Sequence, residues 1–193
     1  MIYLILGLVV FLGVHSVSIV APNWRDAMMA RVGEPAWKGV YAALSIAGFV
    51  VLVWGYGQAR GEAVVLYNPP SCTRWFSAVL MLPVFPLLLA PYFPSRIGAT
   101  LKHPMLIAVQ TWALAHLIAN GTSADLLLFG SFLIWAVLDR MSYARRPQRS
   151  IRRLPASRFN DAVVVVIGLV LYFVFLHWLH ARWIGVSPLP FTP

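Results

Sequence analysis

Two histidines interrupt apolar stretches of this chain. His116 lies inside the apolar run Pro104–Asn120, and His15 lies inside Ile2–Ala21. An imidazole in hydrocarbon is costly unless another group binds it, so an ionisable residue in a membrane segment indicates a functional site. Neutral imidazole is a common ligand of metal ions and of haem iron. Two such residues on different helices favour a metal or haem site over a transport path.

The neighbours of His116 suit a cofactor site. Trp112 and Asn120 lie four residues before and four residues after it, so all three share one helix face. Asn120 could orient the imidazole, and Trp112 could pack on a flat cofactor. The alternative is a polar stripe that holds helices together. For His15 the alternative is a core histidine bonded to a neighbouring helix. The two histidines also differ by about 9 Å in estimated depth, which disfavours a shared metal.

Three further histidines lie near predicted helix ends. His103 precedes Pro104 and fits a helix cap at the interface, although it could also contact a cofactor propionate or a lipid headgroup. His177 and His180 lie at the outer end of the last apolar run. They are explained as interfacial residues, but a pair with this spacing can also bind a metal.

The elements that must position these residues are membrane helices. The chain has 193 residues, of which 60% are hydrophobic and 11% charged, whereas soluble domains carry about 25% charged residues. Six apolar runs each have roughly the 17–25 residues of a spanning helix. They cover residues 2–21, 39–57, 75–93, 104–120, 122–138 and 162–181. We expect an all-α integral membrane bundle of about six transmembrane helices, forming a single domain over residues 1–193.

The charge distribution predicts the orientation. The net charge is +9, and most basic residues fall in the loops after the first, third and fifth apolar runs. The positive-inside rule places those loops in the cytoplasm. We therefore expect a multi-pass protein of the bacterial inner (plasma) membrane, with both termini on the periplasmic side. The most basic loop contains Arg140, Arg145, Arg146, Arg149, Arg152, Arg153 and Arg158. It is interpreted as a topology signal that contacts anionic lipid, not as a nucleic-acid site.

Composition also excludes several kinds of chemistry. Cys72 is the only cysteine, so an intrachain disulfide and a cysteine-based metal site are excluded. The six acidic residues form no paired-carboxylate pattern inside the apolar runs. Internal repeats typical of transporters are not evident either. Demanding chemistry in this chain would therefore need a cofactor.

Two local patterns predict irregular backbone. Pro83, Pro86 and Pro91 fall within the third apolar run, which should be kinked or broken there, either for packing or to line a cavity. Gly121 follows the fourth run and could adopt the positive φ that ends a helix. Thr122 or Ser123 could then cap the next helix.

Short elements along the chain resemble the NnrU family. They are Gly13-Val14-His15-Ser16, Lys102-His103-Pro104, Trp112-Ala113-Leu114-Ala115-His116, Asn120-Gly121 and Leu128-Phe129-Gly130. This family comprises small bacterial membrane proteins associated with nitrite and nitric oxide reduction. It is related to the plant and cyanobacterial 15-cis-ζ-carotene isomerase, which is a b-type haem protein with histidine ligands.

The resemblance implies a haem b site in which His15 and His116 are the axial ligands of the iron. Trp112, Asn120 and His103 would then contact the cofactor. Ala113 stands where the isomerase can have a cysteine, which argues against a ligand exchange that uses a thiol.

Three functions follow from this interpretation. The first is a haem-b membrane protein acting in, or supporting, nitrite and nitric oxide reduction. The second is a haem-dependent cis–trans isomerase of a carotenoid or another polyene. The third is a cofactor-free accessory or assembly protein. The expected partners are the lipid bilayer, a small apolar or gaseous substrate and denitrification proteins, with no nucleic acid.

Overall fold

The computed structural model describes residues 1–146 and 153–189. Arg149 and Arg152 of the basic loop lie outside the described residues. Ten α-helices occur in the described ranges: α1 (Ile2–Val20), α2 (Pro22–Val32), α3 (Glu34–Glu62), α4 (Cys72–Met81), α5 (Val84–Leu89), α6 (Arg96–Leu101), α7 (Pro104–Ala119), α8 (Ser123–Ser142), α9 (Asn160–Val174) and α10 (His180–Ile184). A 3-10 turn, Ala90–Tyr92, follows α5, and a π turn, Phe175–Leu179, joins α9 to α10. The prediction of an all-α fold is confirmed.

Helices cover all six predicted runs, but fewer of them qualify as membrane spans. Four segments are long and apolar enough to cross a membrane: Ile2–Val20, Glu34–Glu62, Cys72–Tyr92 and Asn160–Ile184. Helix α7 has only 16 residues. Helix α8 carries three charged side chains, Asp125, Asp139 and Arg140. The predicted count of about six spanning helices is therefore not confirmed.

Two helices lie where the sequence predicted loops. Helix α2 begins at Pro22, whose fixed φ suits the first helical turn. Helix α6 begins after Ser95, whose hydroxyl accepts a hydrogen bond from the backbone N–H of Gly98. A search for apolar runs does not detect such short polar helices, because they lack a continuous hydrophobic stretch.

The prolines of the third run break the helix, as predicted. Helix α4 ends at Met81, and α5 starts again at Val84. Pro86 packs directly on Gly168 of α9, where an added Cβ would collide with the proline ring. The break therefore allows close packing of α5 against α9.

The helices form two compact units. The first comprises Met1–Leu66 and Thr122–Pro147, and the second comprises Tyr67–Gly121 and Gln148–Pro193. His15 belongs to the first unit and His116 to the second. The single-domain assignment for residues 1–193 stays a prediction.

Glycines set the packing of the first unit. Helices α1 and α3 run antiparallel in close contact, because three glycines bring the backbones together. Gly7 of α1 faces Leu52, Gly48 of α3 faces Phe11, and Gly55 faces the backbone of Leu4. Helix α8 packs against α1. His15 lies on α1, the first helix of the closely packed pair α1 and α3.

The connection between α7 and α8 confirms one expectation and corrects another. Thr122 caps α8: its hydroxyl accepts from the N–H of Asp125, and the Asp125 carboxylate accepts from the N–H of Thr122. Gly121, however, does not adopt a positive φ. A side chain at this position would overlap the carbonyl group of Tyr67, so the glycine is explained by close backbone approach.

The acidic residue of this cap is also bound from α3. The Tyr56 hydroxyl donates a hydrogen bond of 2.6 Å to the buried carboxylate of Asp125. The carboxylate also accepts from the Thr122 hydroxyl at 2.7 Å. Asp125 therefore has a structural role in joining α3 to the start of α8.

Candidate functional site

The two predicted ligand histidines share one local arrangement. In each case Nδ1 contacts the carbonyl oxygen four residues earlier: 2.7 Å from His15 to Phe11, and 2.8 Å from His116 to Trp112. An aromatic ring at that earlier position also packs on the imidazole. The ring centroids are 4.3 Å apart for Phe11 and His15 and 5.3 Å apart for Trp112 and His116.

This arrangement determines which nitrogen can bind a ligand. A carbonyl oxygen only accepts hydrogen bonds, so Nδ1 must be the donor in each ring. In the neutral imidazole the lone pair then lies on Nε2. Metal-binding histidines usually donate their other ring nitrogen to a carbonyl or carboxylate in this way. Both histidines therefore have the tautomer that coordinates a metal through Nε2.

The ring of His15 lies near a tryptophan whose buried indole nitrogen lacks a hydrogen-bond partner among the described residues. The His15 ring lies 5.4 Å from that of Tyr41 and 6.0 Å from that of Trp135, at 90° to the latter. The indole nitrogen of Trp135 and the hydroxyl of Ser45 are buried with no hydrogen-bond partner among the described residues. Burying such groups unpaired costs about 1–3 kcal/mol each. A polar group bound beside Trp135 would remove that cost for its indole nitrogen.

His116 faces a cavity in the second unit. The cavity has a volume of about 100 Å³. Its lining includes Met81 and Phe85, which lie on either side of the helix break, so the break serves the cavity as well as packing. Arg74, Asn120 and His180 also line it.

The other predicted site residues, Trp112, Asn120 and His103, lie on α7 or at its ends. Trp112 packs on the apolar cluster of Val84, Leu87 and Ala108. Asn120 donates its side-chain amide to the carbonyl oxygen of His116 at 2.9 Å, so it binds the backbone of the histidine. The carbonyl of Trp112 is the group that holds the His116 ring at Nδ1. His103 is the N-cap residue of α7, as predicted, and its carbonyl accepts from the N–H of Leu106.

His180 is the functional candidate whose partner the sequence did not reveal. Its ring centroid lies 6.4 Å from that of His116, with 22° between the ring planes. Its Nδ1 donates to the carbonyl of Val186 at 2.7 Å, so its lone pair also lies on Nε2. His177 instead stacks on Phe173 at 6.3 Å. The two histidines near the end of α9 thus contact different rings. The signal in the sequence was Gly185, whose left-handed conformation ends α10 and returns the chain toward His180.

The donor groups fit haem iron, but the cavity is small. Neutral imidazoles with Nδ1 bound to carbonyls are suitable axial ligands. Sites for drug-sized ligands usually enclose about 300–1,000 Å³. The 100 Å³ beside His116 are well below that range, so the cavity must widen to accept a macrocycle.

Comparison with known proteins identifies the family. The family model described as NnrU protein matches residues 3–188, which is nearly the whole chain. Neither the curated proteins nor the solved structures give a match. The chain, with its four helices able to span a membrane, belongs to the NnrU family.

Proposed function

We propose that this protein binds haem b in the membrane and acts in, or supports, nitrite and nitric oxide reduction. The observation that carries the proposal is the shared arrangement of His15 and His116. Each ring has its Nδ1 held by the carbonyl four residues earlier, and each has an aromatic ring packed beside it. These are the residues that the family resemblance implies as axial ligands.

Other residues would support the bound group. Near His15, the indole N–H of Trp135, which has no hydrogen-bond partner among the described residues, could donate to a polar substituent. Near His116, the ring of Trp112 could pack on an apolar face. Haem would supply one-electron redox chemistry and affinity for small gaseous ligands. The chain supplies neutral nitrogen donors in apolar surroundings, which tune the redox potential.

Two alternatives are less well supported. A polyene isomerase needs room for haem and, in addition, a long apolar slot for its substrate, whereas the cavity at His116 encloses about 100 Å³. A cofactor-free accessory protein leaves Trp135 and Ser45 with buried polar atoms that nothing satisfies among the described residues. A haem bound beside His15 could accept a hydrogen bond from the indole nitrogen of Trp135.

Spectra of purified variants test the proposal. We expect the wild-type protein in mild detergent, after haem is added, to show a Soret band and sharp reduced α and β bands. His15→Asn and His116→Asn should each weaken haem binding by at least about 10–100-fold. Asparagine can still donate to the carbonyl four residues earlier, so these variants remove Nε2 while keeping that bond.

His177→Asn is the matched control, because His177 is exposed and stacks on Phe173. It should bind haem as the wild type does. A wild-type protein that stays colourless with excess haem would refute the proposal and favour the accessory role.

We also propose the bacterial inner membrane as the location, with both termini on the periplasmic side. The support is the concentration of basic residues in alternate loops. Cys72, the only cysteine, is exposed at the start of α4 and would face the periplasm. A membrane-impermeant maleimide should therefore label it in intact spheroplasts, and Cys72→Ser should abolish the signal. Labelling only after lysis would show that Cys72 faces the cytoplasm and that the protein has the opposite orientation.

A further inference from the structure

Two basic segments of the second unit meet at a cleft that the haem proposal does not use. One segment begins α6 and contributes Ser95 and Arg96, and the other leads into α9 and contributes Ser157 and Arg158. The cleft between them has a volume of about 610 Å³, within the roughly 300–1,000 Å³ that ligand sites usually enclose. We propose that this cleft binds the phosphate headgroup of one anionic phospholipid.

Hydrogen bonds between the two segments hold the walls of the cleft together. The side-chain amide of Asn160, a residue only 6% exposed, donates to the carbonyl oxygen of Pro94 at 2.9 Å. The Asp161 carboxylate accepts from the backbone N–H groups of Arg96 and Ile97, at 3.2 Å and 3.1 Å. Each of these bonds joins residues at least 64 positions apart. The start of α9 therefore fixes one wall of the cleft to the other.

The charges that line the cleft favour an anion. Asp161 is the only acidic residue in the sequence of the second unit, and two backbone N–H groups already bind its carboxylate. Arg96 and Arg158 are exposed, and neither forms an ion pair with a described residue. Guanidinium groups bind phosphate through paired, charge-assisted hydrogen bonds. Two arginines at one cleft therefore suit a phosphodiester.

Two hydroxyl groups in the lining have a hydrogen left to donate. The Ser95 hydroxyl accepts from the backbone N–H of Gly98, and the Ser157 hydroxyl accepts from that of Phe159, each at 3.2 Å. Neither hydroxyl donates to another group in the part of the chain that the structure describes. Because a hydroxyl has one donor hydrogen besides its acceptor sites, both serines can still donate to the oxygen atoms of a bound headgroup.

The position of the cleft favours a lipid over a free phosphate ion. It lies at the ends of two segments that are long and apolar enough to span a membrane, Cys72–Tyr92 and Asn160–Ile184, where headgroups are found. From Ala162, which lines the cleft, an exposed apolar face continues along α9 through Val166 and Val170. The acyl chains of a lipid held in the cleft would pack on this face. Basic pockets at the ends of membrane helices bind anionic headgroups in this way.

Native mass spectrometry of the full-length protein in detergent tests the proposal. The probe is dioleoylphosphatidylglycerol, added in increasing amounts, and dioleoylphosphatidylcholine is the zwitterionic comparison. We expect one tightly bound phosphatidylglycerol per chain, and phosphatidylcholine should bind at least about 10-fold more weakly. Changing Arg96→Gln and Arg158→Gln together should weaken phosphatidylglycerol binding by about 10-fold or more, since each basic residue near a lipid headgroup contributes about fivefold in affinity.

Two further variants separate binding in the cleft from diffuse attraction between charges. Changing Arg140→Gln and Arg145→Gln together removes the same charge from exposed residues outside the cleft, so the lipid should stay bound. Ala99→Phe keeps the charge but places a ring in the cleft, so it should weaken binding as much as the loss of both cleft arginines. Because Ala99 is exposed, this variant should fold, which circular dichroism would verify.

Unchanged lipid binding after the loss of both cleft arginines, or in Ala99→Phe, would overturn the proposal. Equal binding of phosphatidylcholine, or an equal loss in the Arg140 and Arg145 variant, would do the same. Release of the lipid by millimolar inorganic phosphate would overturn the choice of a lipid and indicate a site for soluble phosphate. The cleft uses neither His15 nor His116, so a failure to bind haem would refute only the haem proposal.

Discussion

Replacing Arg146 with methionine should lower the free energy of unfolding of the first unit by about 3 kcal/mol, the lower end of the usual cost of breaking a buried ion pair. The Arg146 guanidinium forms an ion pair with Asp139 of α8, and the two side chains are only 9% and 10% exposed. The guanidinium also lies 4.1 Å from the ring centroid of Tyr143. Methionine keeps the unbranched apolar part of the side chain and removes the charge, so the Asp139 carboxylate loses this ion pair and keeps the weaker contact with the Ser142 hydroxyl. Thermal unfolding in detergent would measure the change.

Two controls isolate the cause of that loss. Arg145→Met removes the same charge from an exposed neighbour and should change stability by less than about 0.5 kcal/mol. Adding Asp139→Leu to Arg146→Met should restore much of the stability, because the double variant buries no unpaired charge. A double variant no more stable than Arg146→Met would mean that the stacking on Tyr143, and not the ion pair, stabilises this end of α8.

A Gly55→Val change should destabilise the contact between α1 and α3 by about 3 kcal/mol, at the upper end of the usual cost of overpacking. A Cβ at Gly55 would lie 2.5 Å from the backbone nitrogen of Leu4. The obstacle is backbone, which cannot rotate away as a side chain can. The two helices must therefore separate, and the packing around the neighbouring glycines would be lost with them.

The matched control is Gly57→Val in the same helix, since a Cβ there would meet nothing within 4 Å. Both variants change helix propensity equally, so the difference between their unfolding temperatures reports packing alone. Equal unfolding temperatures would show that α1 and α3 do not depend on close approach at Gly55. A separation of the helices should also disturb His15, and the haem spectrum of Gly55→Val would show this.

The helices and the two candidate ligands could be predicted from local sequence. Continuous apolar runs indicate helices wherever they occur, and His15 and His116 are conspicuous because each interrupts such a run. The proline break and the cap at Thr122 also depend on a few adjacent residues. Each of these features needs only short-range chemistry.

The features that sequence reasoning missed depend on residues far apart in the chain. The role of Gly121 depends on the carbonyl of Tyr67, which lies on a distant part of the chain. His180 had an ordinary interfacial explanation until its ring was found beside that of His116, 64 positions earlier. Local patterns identify a residue that could act, but tertiary contacts determine which other residue it acts with.

The π turn, Phe175–Leu179, changes which side of the helix the following residues face. Because an α-helix has 3.6 residues per turn, one additional residue within a turn rotates all that follows by about 100°. Residues three apart on an α-helix share a face, yet His177 lies on Phe173 while His180 lies beside His116. The insertion or loss of a single residue here would thus exchange the exposed histidine for the one that lines the cavity without altering either side chain.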